Sequence, residues 1–588
     1  MSDQKYSRRL VYILLLAVVL VVAGGALASA VQTANGTIKI QDVRFTGTNG
    51  IPMSALLYIP AGVTAENPAP GILAVHGYIN SRETQDGYAI EFARRGYVVL
   101  ALDQTGHGYS GPPAFANGFG GPDGLTYLRS LDIVDKDNIG LEGHSMGGWT
   151  SLAAAITFPD QYKSIMIQGS STGAPFAADG TATWPRNLGL VFSEWDEFSE
   201  LMWGVELPKQ MVDTDKLKTL FDTTETVEVG RLYGSIEEGT ARKLFMPRGT
   251  HPNDHISQEA IGNAVEWMQA TLTGGNGLAP ADQIWYWKEI GTFIALIGAV
   301  LFIFPAGGLL LQSSLFKDLQ SPMPEAKGMT GNAWWGAVLL TLAIPALTFF
   351  WLQNQANSWL PASAFFPQTI TTGIMTWAVG NALITLILFL IWHFQVNGKA
   401  GATPDHYGVT WGGKINPMLI LRSLLLAITV IFGVYVLLAL SDWAFKTDFR
   451  LWVLALKPMN ILQFQIMLAY LIPFTFYFLV VSTMLNSQLR LANVGFGRQM
   501  LINAGALAGG IFIMLLVQYI PLMSGSPMPL REPLLTIVGI QFVPLLMVIA
   551  FILTYFFRQT GRIYTGAFIC ALFVTWYIVS GQAIQFAF

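Results

Sequence analysis

Asn138-Ile-Gly-Leu-Glu-Gly-His-Ser-Met-Gly-Gly148 is the stretch that decides the fold of the N-terminal half of this chain. Its first five residues have the apolar composition of a buried strand, and a helix is predicted from Ser151 to Thr157. A Gly-x-Ser-x-Gly pattern between a strand and a helix is typical of a sharp turn that raises the serine hydroxyl above a sheet. The pattern therefore predicts that Ser145 is a nucleophile.

Two further apolar strands precede this turn. Pro70-Gly-Ile-Leu-Ala-Val-His-Gly-Tyr78 ends in His-Gly, where a loop amide can face the nucleophile. The backbone N–H groups of Tyr78 and Met146 are therefore predicted to form an oxyanion hole. The next strand, ending at Asp103, leads into Gly106-His-Gly-Tyr-Ser110.

These motifs occur in an order that resembles the α/β-hydrolase superfamily: His-Gly, then Asp-x-x-Gly-His-Gly-x-Ser, then Gly-His-Ser-Met-Gly-Gly. The resemblance covers residues 37–275. Short β-branched runs alternate there with helical periods, which predicts a mostly parallel, doubly wound sheet.

A serine hydroxyl needs a base and an orienting carboxylate, and in this superfamily they follow in the order serine, acid, histidine. Asp196 follows a predicted strand at 187–192, with Ser193 in place of the superfamily's usual glycine, and is the predicted acid. Glu194 and Glu197 are close enough in sequence to compete for that role. His251 follows the strand and turn beginning at Lys243 and is the predicted base.

His255 is the alternative base, because it lies next to Asp254 near the predicted cap of the following helix. That helix is expected to begin after Ser257. The interval between Asp196 and His251 leaves room for a helical insertion around residues 199–226, which would shape the pocket. The sequence predicts no cofactor, because no motif for one is present, and no metal site, because a His/Cys cluster is absent.

The remainder of the chain has the composition of a membrane protein. Hydrophobic residues make up 52% of the sequence and charged residues 12%, and the mean hydropathy is +0.46, which is too apolar for a soluble globular chain. Eight long apolar stretches follow the hydrolase-like segment, which predicts an all-α polytopic transmembrane domain. They lie near residues 290–311, 334–353, 373–394, 418–441, 460–482, 500–521, 534–556 and 563–585.

The expected domain organisation has four parts. Residues 1–31 form a transmembrane anchor or a cleaved signal peptide, since Ala28-Ser-Ala30 resembles a cleavage site. Residues 37–275 form the hydrolase domain, residues 276–289 a linker with an interfacial aromatic segment, and residues 290–588 the membrane domain. The single cysteine, Cys570, excludes an intrachain disulfide.

The distribution of charge predicts the orientation. With a cytoplasmic N-terminus, segments predicted inside carry eleven Lys and Arg, beginning with Lys5, and segments predicted outside carry five, as the positive-inside rule requires. The expectation is a multi-pass plasma-membrane protein whose hydrolase domain and C-terminus lie outside the cytoplasm. Residues 37–275 carry 16 Lys and Arg against 28 Asp and Glu, a net charge of −12, which excludes nucleic acid as a partner.

The sequence thus predicts a membrane-bound serine hydrolase that cleaves an ester, thioester or amide. Its substrate is expected to be a small molecule, a lipid or an acylated cell-envelope component, and no protein partner is identified. The alternative is a non-enzymatic binding or regulatory module of a membrane complex. Transport is a third interpretation, which the scarcity of charge within the spans disfavours.

Overall fold

The computed structural model describes residues 3–588, with side chains from Ser7 onward. The side chain of Lys5, which contributes to the predicted orientation, lies outside the described residues. The described chain begins with a long helix, α1 (Asp3–Gln32), continues into a large β-sheet flanked by helices, and ends in a bundle of long apolar helices. The predicted combination of an α/β-hydrolase fold and an all-α half is confirmed.

The sheet contains nine strands in the order β1-β2-β4-β3-β5-β6-β7-β9-β8 within residues 3–588. The six adjacent strands β4, β3, β5, β6, β7 and β9 are mutually parallel. The other three strands, β1, β2 and the edge strand β8, pair antiparallel with their neighbours. The strands are β1 (Ile38–Thr46), β2 (Pro52–Pro60), β3 (Ala69–Val75), β4 (Val98–Asp103), β5 (Val134–His144), β6 (Ser164–Gln168), β7 (Leu188–Val191), β8 (Leu232–Tyr233) and β9 (Arg242–Phe245).

Both faces of the sheet are buried. Neighbouring residues of one strand, such as Ile72 and Leu73, pack into separate apolar clusters on opposite faces, because side chains alternate along a strand. This explains why the central strands are apolar throughout rather than alternating. The covering helices are α2 (Asp86–Arg94), α3 (Gly121–Ser130), α4 (Met146–Thr157), α5 (Ser199–Trp203), α6 (Asp215–Leu220) and α7 (Gln258–Thr271).

Two predicted local features, the cap of α7 and the helical insertion, are confirmed, and the start of α4 differs from its predicted position. Ser257 caps α7, accepting a hydrogen bond from the Ala260 N–H, and short helices occupy the expected insertion at 199–226. Helix α4 begins at Met146 rather than Ser151, because the turn at Ser145 passes directly into the helix.

Nine helices in residues 3–588 are long and apolar enough to cross a membrane. One is α1, and each of the eight predicted stretches falls largely within one of the others. These are α8 (Trp285–Leu310), α9 (Gly331–Trp359), α10 (Thr369–Trp392), α11 (Pro417–Phe445), α12 (Ile461–Asn486), α13 (Phe496–Met523), α14 (Pro533–Thr560) and α15 (Tyr564–Gly581). A short hairpin of β10 (Phe449–Leu451) and β11 (Leu454–Leu456) joins α11 to α12.

The hydrolase-like half contacts one end of the helix bundle. Asp86 of α2 pairs with Lys288 of α8, and Arg450 of the hairpin donates to Thr84 Oγ1 at 3.2 Å. Beyond α15, the Ile584 N–H donates to the Gly106 carbonyl at 2.8 Å. The contacts position the carboxyl ends of the sheet strands against the bundle, which is where the candidate site lies.

Candidate active site

Ser145 lies in a sharp turn between β5 and α4. Its backbone has φ 57° and ψ −121°, a conformation that is costly for a side-chain-bearing residue and is found at functional turns. A Cβ atom on Gly143 would collide with the backbone of Gly147, and one on Gly147 would collide with the carbonyls of Val75 and His76. The two glycines therefore permit the close packing that the turn requires.

Ser145 and His251 line one cavity of about 260 Å³. The Ser145 N–H donates to the Gln168 carbonyl at 2.7 Å, which ties the turn to the end of β6. Within residues 3–588 the Ser145 hydroxyl forms no hydrogen bond, an arrangement common in unliganded enzymes whose catalytic contacts tighten on substrate binding.

The predicted acid and base are in direct contact. His251 Nδ1 donates to Asp196 Oδ2 at 2.9 Å, and the Asp196 side chain is fully buried. Burial lowers the pKa of His251, but the charge and hydrogen bond of Asp196 outweigh burial and raise it above its ordinary value. The arrangement fixes the imidazole tautomer that leaves Nε2 available as a base.

Sheet topology explains why these two residues meet. They follow β7 and β9, which are parallel neighbours, so their loops leave the sheet at the same edge. The loops are joined by a hydrogen bond from the Trp195 N–H to the Gly249 carbonyl at 3.0 Å.

The competing carboxylates have other partners. Glu194 is exposed, with its carboxylate 3.9 Å from Arg248. Glu197 Oε2 accepts the backbone N–H of His251 at 2.7 Å, and its Oε1 accepts the Tyr519 hydroxyl at 2.7 Å. Burial, reinforced by the charge of Asp196, raises the pKa of Glu197 to about 7. Glu197 therefore braces the backbone of the candidate base rather than its ring.

His255 lines the same cavity as His251 but has no orienting carboxylate. Neither of its ring nitrogens has a hydrogen-bond partner among the described residues, and its ring centroid lies 4.1 Å from that of His144. Burial lowers the pKa of His255 well below its ordinary value. The geometry thus favours His251 over His255 as the base.

The two residues predicted to supply the oxyanion donors, Tyr78 and Met146, line the cavity together with Ser145. Met146 is the first residue of α4, where a backbone N–H has no acceptor within the helix. The Tyr78 N–H donates to no acceptor in the described part of the chain. The Tyr78 hydroxyl accepts a hydrogen bond from Gln585 Nε2 at 2.8 Å, so the C-terminal segment braces this loop.

Comparison with known proteins identifies the fold. Residues 70–200 match the family model described as alpha/beta hydrolase fold. This chain contains an α/β-hydrolase domain. That domain is 27% identical to an epoxide hydrolase of Caballeronia sordidicola over 25% of this chain and 41% of that protein.

A second curated relative is a 2-hydroxy-6-oxononadienedioate/2-hydroxy-6-oxononatrienedioate hydrolase of Cupriavidus pinatubonensis. It is 32% identical over 14% of this chain and 28% of its own length. The chain therefore spans less than half of each of these relatives. Among solved structures, a Pyrococcus furiosus esterase is 14% identical and covers 41% of this chain and 94% of its own, with a TM-score of 0.31. Both curated relatives are named as hydrolases, and the family model that matches residues 70–200 describes the alpha/beta hydrolase fold.

Sequence reasoning missed one wall of the cavity beside this α/β-hydrolase domain. Val453 of the hairpin and Leu534, Ile537 and Gln541 of α14 line it together with Ser145. Gln541 was interpretable from sequence only as a packing group within a span. Its polarity was the single available signal, and no local pattern connects a residue of α14 to a serine almost four hundred positions earlier.

Glu142 is a fully buried carboxyl in β5, close to the nucleophile turn. Gln85 Nε2 donates to both of its oxygens at 2.9 Å, and Gln168 Nε2 donates to one of them at 2.9 Å. Burial outweighs these bonds and raises the pKa of Glu142 from 4.5 to about 8. The contribution of Glu142 to the free energy of unfolding is therefore fully present below pH 4.5, where the carboxyl is neutral in both states. It is lost as the pH rises through 8.

Glu142→Gln is expected to flatten the pH dependence of stability. The wild-type melting temperature should fall between about pH 5 and about pH 9, because ionisation of the buried carboxyl opposes folding. The variant should show a smaller fall, measured by tryptophan fluorescence of detergent-solubilised protein. The matched control is Glu238→Gln, since Glu238 is exposed; an equal slope in wild type and Glu142→Gln would contradict the prediction.

Proposed function

We propose that this chain is a membrane-bound serine hydrolase that cleaves an ester, thioester or amide through an acyl-enzyme on Ser145. The observation that carries the proposal is the 2.9 Å hydrogen bond between His251 Nδ1 and Asp196 Oδ2, in a cavity that Ser145 and His251 line together. An α/β-hydrolase domain kept only for binding has no need of all three groups.

The reaction follows from the roles of these groups. His251 Nε2 accepts the Ser145 hydroxyl proton while the serine oxygen attacks the substrate carbonyl carbon, and Asp196 stabilises the imidazolium. The N–H groups of Tyr78 and Met146 bind the negative oxygen of the tetrahedral intermediate. The bond to the leaving group then breaks, and that group takes the proton from His251. Water, activated by the same histidine, hydrolyses the acyl-enzyme and regenerates Ser145.

The test is covalent labelling with a fluorophosphonate, in which the serine oxygen displaces fluoride from phosphorus. Purified wild-type protein should be labelled, with the adduct mapped to Ser145 by mass spectrometry, because only an activated serine reacts. Ser145→Ala should not be labelled. Ser151→Ala is the matched control, since Ser151 follows on α4 and donates to the Glu142 carbonyl at 3.0 Å instead of lining the cavity.

A folded wild type that stays unlabelled would contradict the proposal. It would favour the alternative, in which the domain binds or regulates without catalysis. Correct folding is established independently by the melting temperature of the same preparation.

We also propose the domain boundaries and the orientation. The hydrolase domain comprises residues 37–275, the linker residues 276–289, and the membrane domain residues 290–588. The hydrolase domain contacts the hairpin through Arg450, the loop before α14 through Arg531 and the C-terminal segment through Gln585. All three segments are predicted outside the cytoplasm from the distribution of Lys and Arg.

The first helix is proposed to remain as an anchor rather than to be cleaved. Helix α1 packs closely along α8, where a Cβ on Gly24 would overlap the backbone of Gly291 and Ala295. Small residues permit such close helix packing. Gln32 Nε2 donates to the Phe445 carbonyl at 2.7 Å, so the end of α1 is also tied to α11.

A further inference from the structure

One wall of the Ser145 cavity belongs to a helix apolar enough to span a membrane. Leu534, Ile537 and Gln541 line the cavity from α14, and their spacing places them on one helix face. From Leu534 to Gln541 the helix rises by about 10 Å. Because α14 begins at Pro533, this wall lies in its first three turns, at the end nearest the hydrolase domain.

The lining of the cavity is suited to hydrocarbon. Its side chains are aromatic, aliphatic or thioether groups apart from Ser145, Asn80, Gln541 and three histidines, and no Asp, Glu, Lys or Arg of the described chain lines it. A charged substrate group would be buried there without a counter-charge, which is costly. Aliphatic chains carry no such cost and gain free energy for each methylene removed from water.

The rim of the cavity also exposes apolar side chains. Phe115, Phe176 and Leu201 line the cavity and are 44%, 49% and 43% exposed, unlike the buried aromatic residues deeper in the domain. Exposed apolar side chains beside a membrane helix are typical of a surface that contacts lipid.

Two exposed ion pairs connect the segment around Leu201 to the residues just before α14. It lies on α5, whose Glu200 pairs with Arg531 at 3.3 Å. Glu206, in the loop after α5, pairs with the same arginine at 2.6 Å. Arg531 precedes α14 by two residues, so these exposed pairs lie between the segment that carries Leu201 and the start of α14.

We propose that the substrate is a membrane amphiphile whose hydrocarbon chain enters from the bilayer and lies against Leu534 and Ile537, with its scissile carbonyl at Ser145. The proposal rests on the serine hydrolase function proposed above and names its substrate class. The face of α14 then selects chain length, a role separate from the chemistry performed by His251 and Asp196.

The test compares labelling of Ser145 by an ethyl and a hexadecyl fluorophosphonate, with the full-length protein in phosphatidylcholine nanodiscs. Wild type should react faster with the hexadecyl reagent. The larger side chain in Ile537→Trp should occupy space in the cavity that the hydrocarbon chain would otherwise use. It should lower the hexadecyl-to-ethyl rate ratio by on the order of tenfold, which is equivalent to losing the contacts of about two methylenes. Comparing ratios between variants removes the effect of reagent partitioning into the bilayer.

Met547→Trp is the matched control, because Met547 lies on the same helix, is exposed and does not line the cavity. Its ratio should equal that of wild type. If Ile537→Trp proves unfolded by its melting temperature, Leu534→Trp alters the same wall at a partly exposed position.

The outcomes separate the two proposals. A wild type that neither reagent labels contradicts the serine hydrolase function itself. Labelling of Ser145 with an unchanged ratio in the folded wall variant, or with a faster ethyl reagent in wild type, overturns the hydrocarbon-chain proposal and leaves the hydrolase function standing.

Discussion

Replacing His251 with glutamine is expected to lower kcat/KM for ester hydrolysis by on the order of 10⁴-fold. A glutamine side chain is polar and close to histidine in size, but it cannot accept the Ser145 proton. The nucleophile therefore stays a neutral hydroxyl. Hydrolysis of 4-nitrophenyl esters, followed by absorbance, measures the loss. The residual rate should come from the oxyanion donors and from substrate binding.

His255→Gln separates the two candidate bases. Because His255 has neither a carboxylate partner nor any hydrogen bond among the described residues, its replacement should cost less than about tenfold. His406→Gln serves as a control, since His406 does not line the cavity. A larger loss for His255→Gln than for His251→Gln would transfer the base role to His255.

Asp196→Asn extends the same test to the acid. An amide at this position can present its NH₂ group to His251 Nδ1 and favour the wrong tautomer, so a loss comparable in order of magnitude to that of His251→Gln is expected. Glu194→Gln is the matched variant, because Glu194 is exposed and its nearest cation is Arg248. Equal losses in these two variants would contradict the assignment of Asp196.

The nucleophile, acid and base candidates were predictable because each follows a strand whose position in the sheet is encoded locally. Apolar runs mark the strands, and parallel neighbours deliver their following loops to one edge. The sequence pattern favoured Asp196 as the acid but left Glu197 as a competitor, because side-chain direction within one short loop has no sequence signal. In the structure the two carboxylates bind different atoms of the same residue, His251.

Contacts between the two halves of the chain were beyond sequence reasoning. Tyr519 reaches Glu197 across 322 positions, and the cavity wall on α14 comes from still further along the chain. Apolar helices carry little periodic signal, since residues facing lipid and residues facing protein are equally apolar. No local sequence pattern therefore predicts how these helices pack against one another, and that packing determines which residues lie near Ser145.

Arg450→Met is expected to lower the free energy of unfolding of the full-length protein by about 3–5 kcal/mol. Arg450 is 2% exposed, and its guanidinium donates to Asp448 Oδ2 at 2.5 Å and to Thr84 Oγ1 at 3.2 Å. Burial lowers the pKa of Arg450, but Asp448 and Glu83 outweigh it and raise the pKa above its ordinary range. Removing this cation leaves the Asp448 carboxylate buried without its partner.

The loss should appear as a lower melting temperature and as faster proteolysis between the hydrolase domain and the helix bundle, because Arg450 bonds to Thr84 across that interface. Arg558→Met is the matched control, since Arg558 is exposed over the Phe496 ring. Arg450→Met combined with Asp448→Leu should recover much of the lost free energy of unfolding. The cost of the single variant comes from burying the Asp448 carboxylate without a cation, rather than from the absence of the ion pair itself. A melting temperature equal to that of wild type in the single variant would mean that the interface does not depend on this cation. Docking would then rest on the other contacts across it, which include the Asp86–Lys288 pair and the hydrogen bond between Gln585 and the Tyr78 hydroxyl.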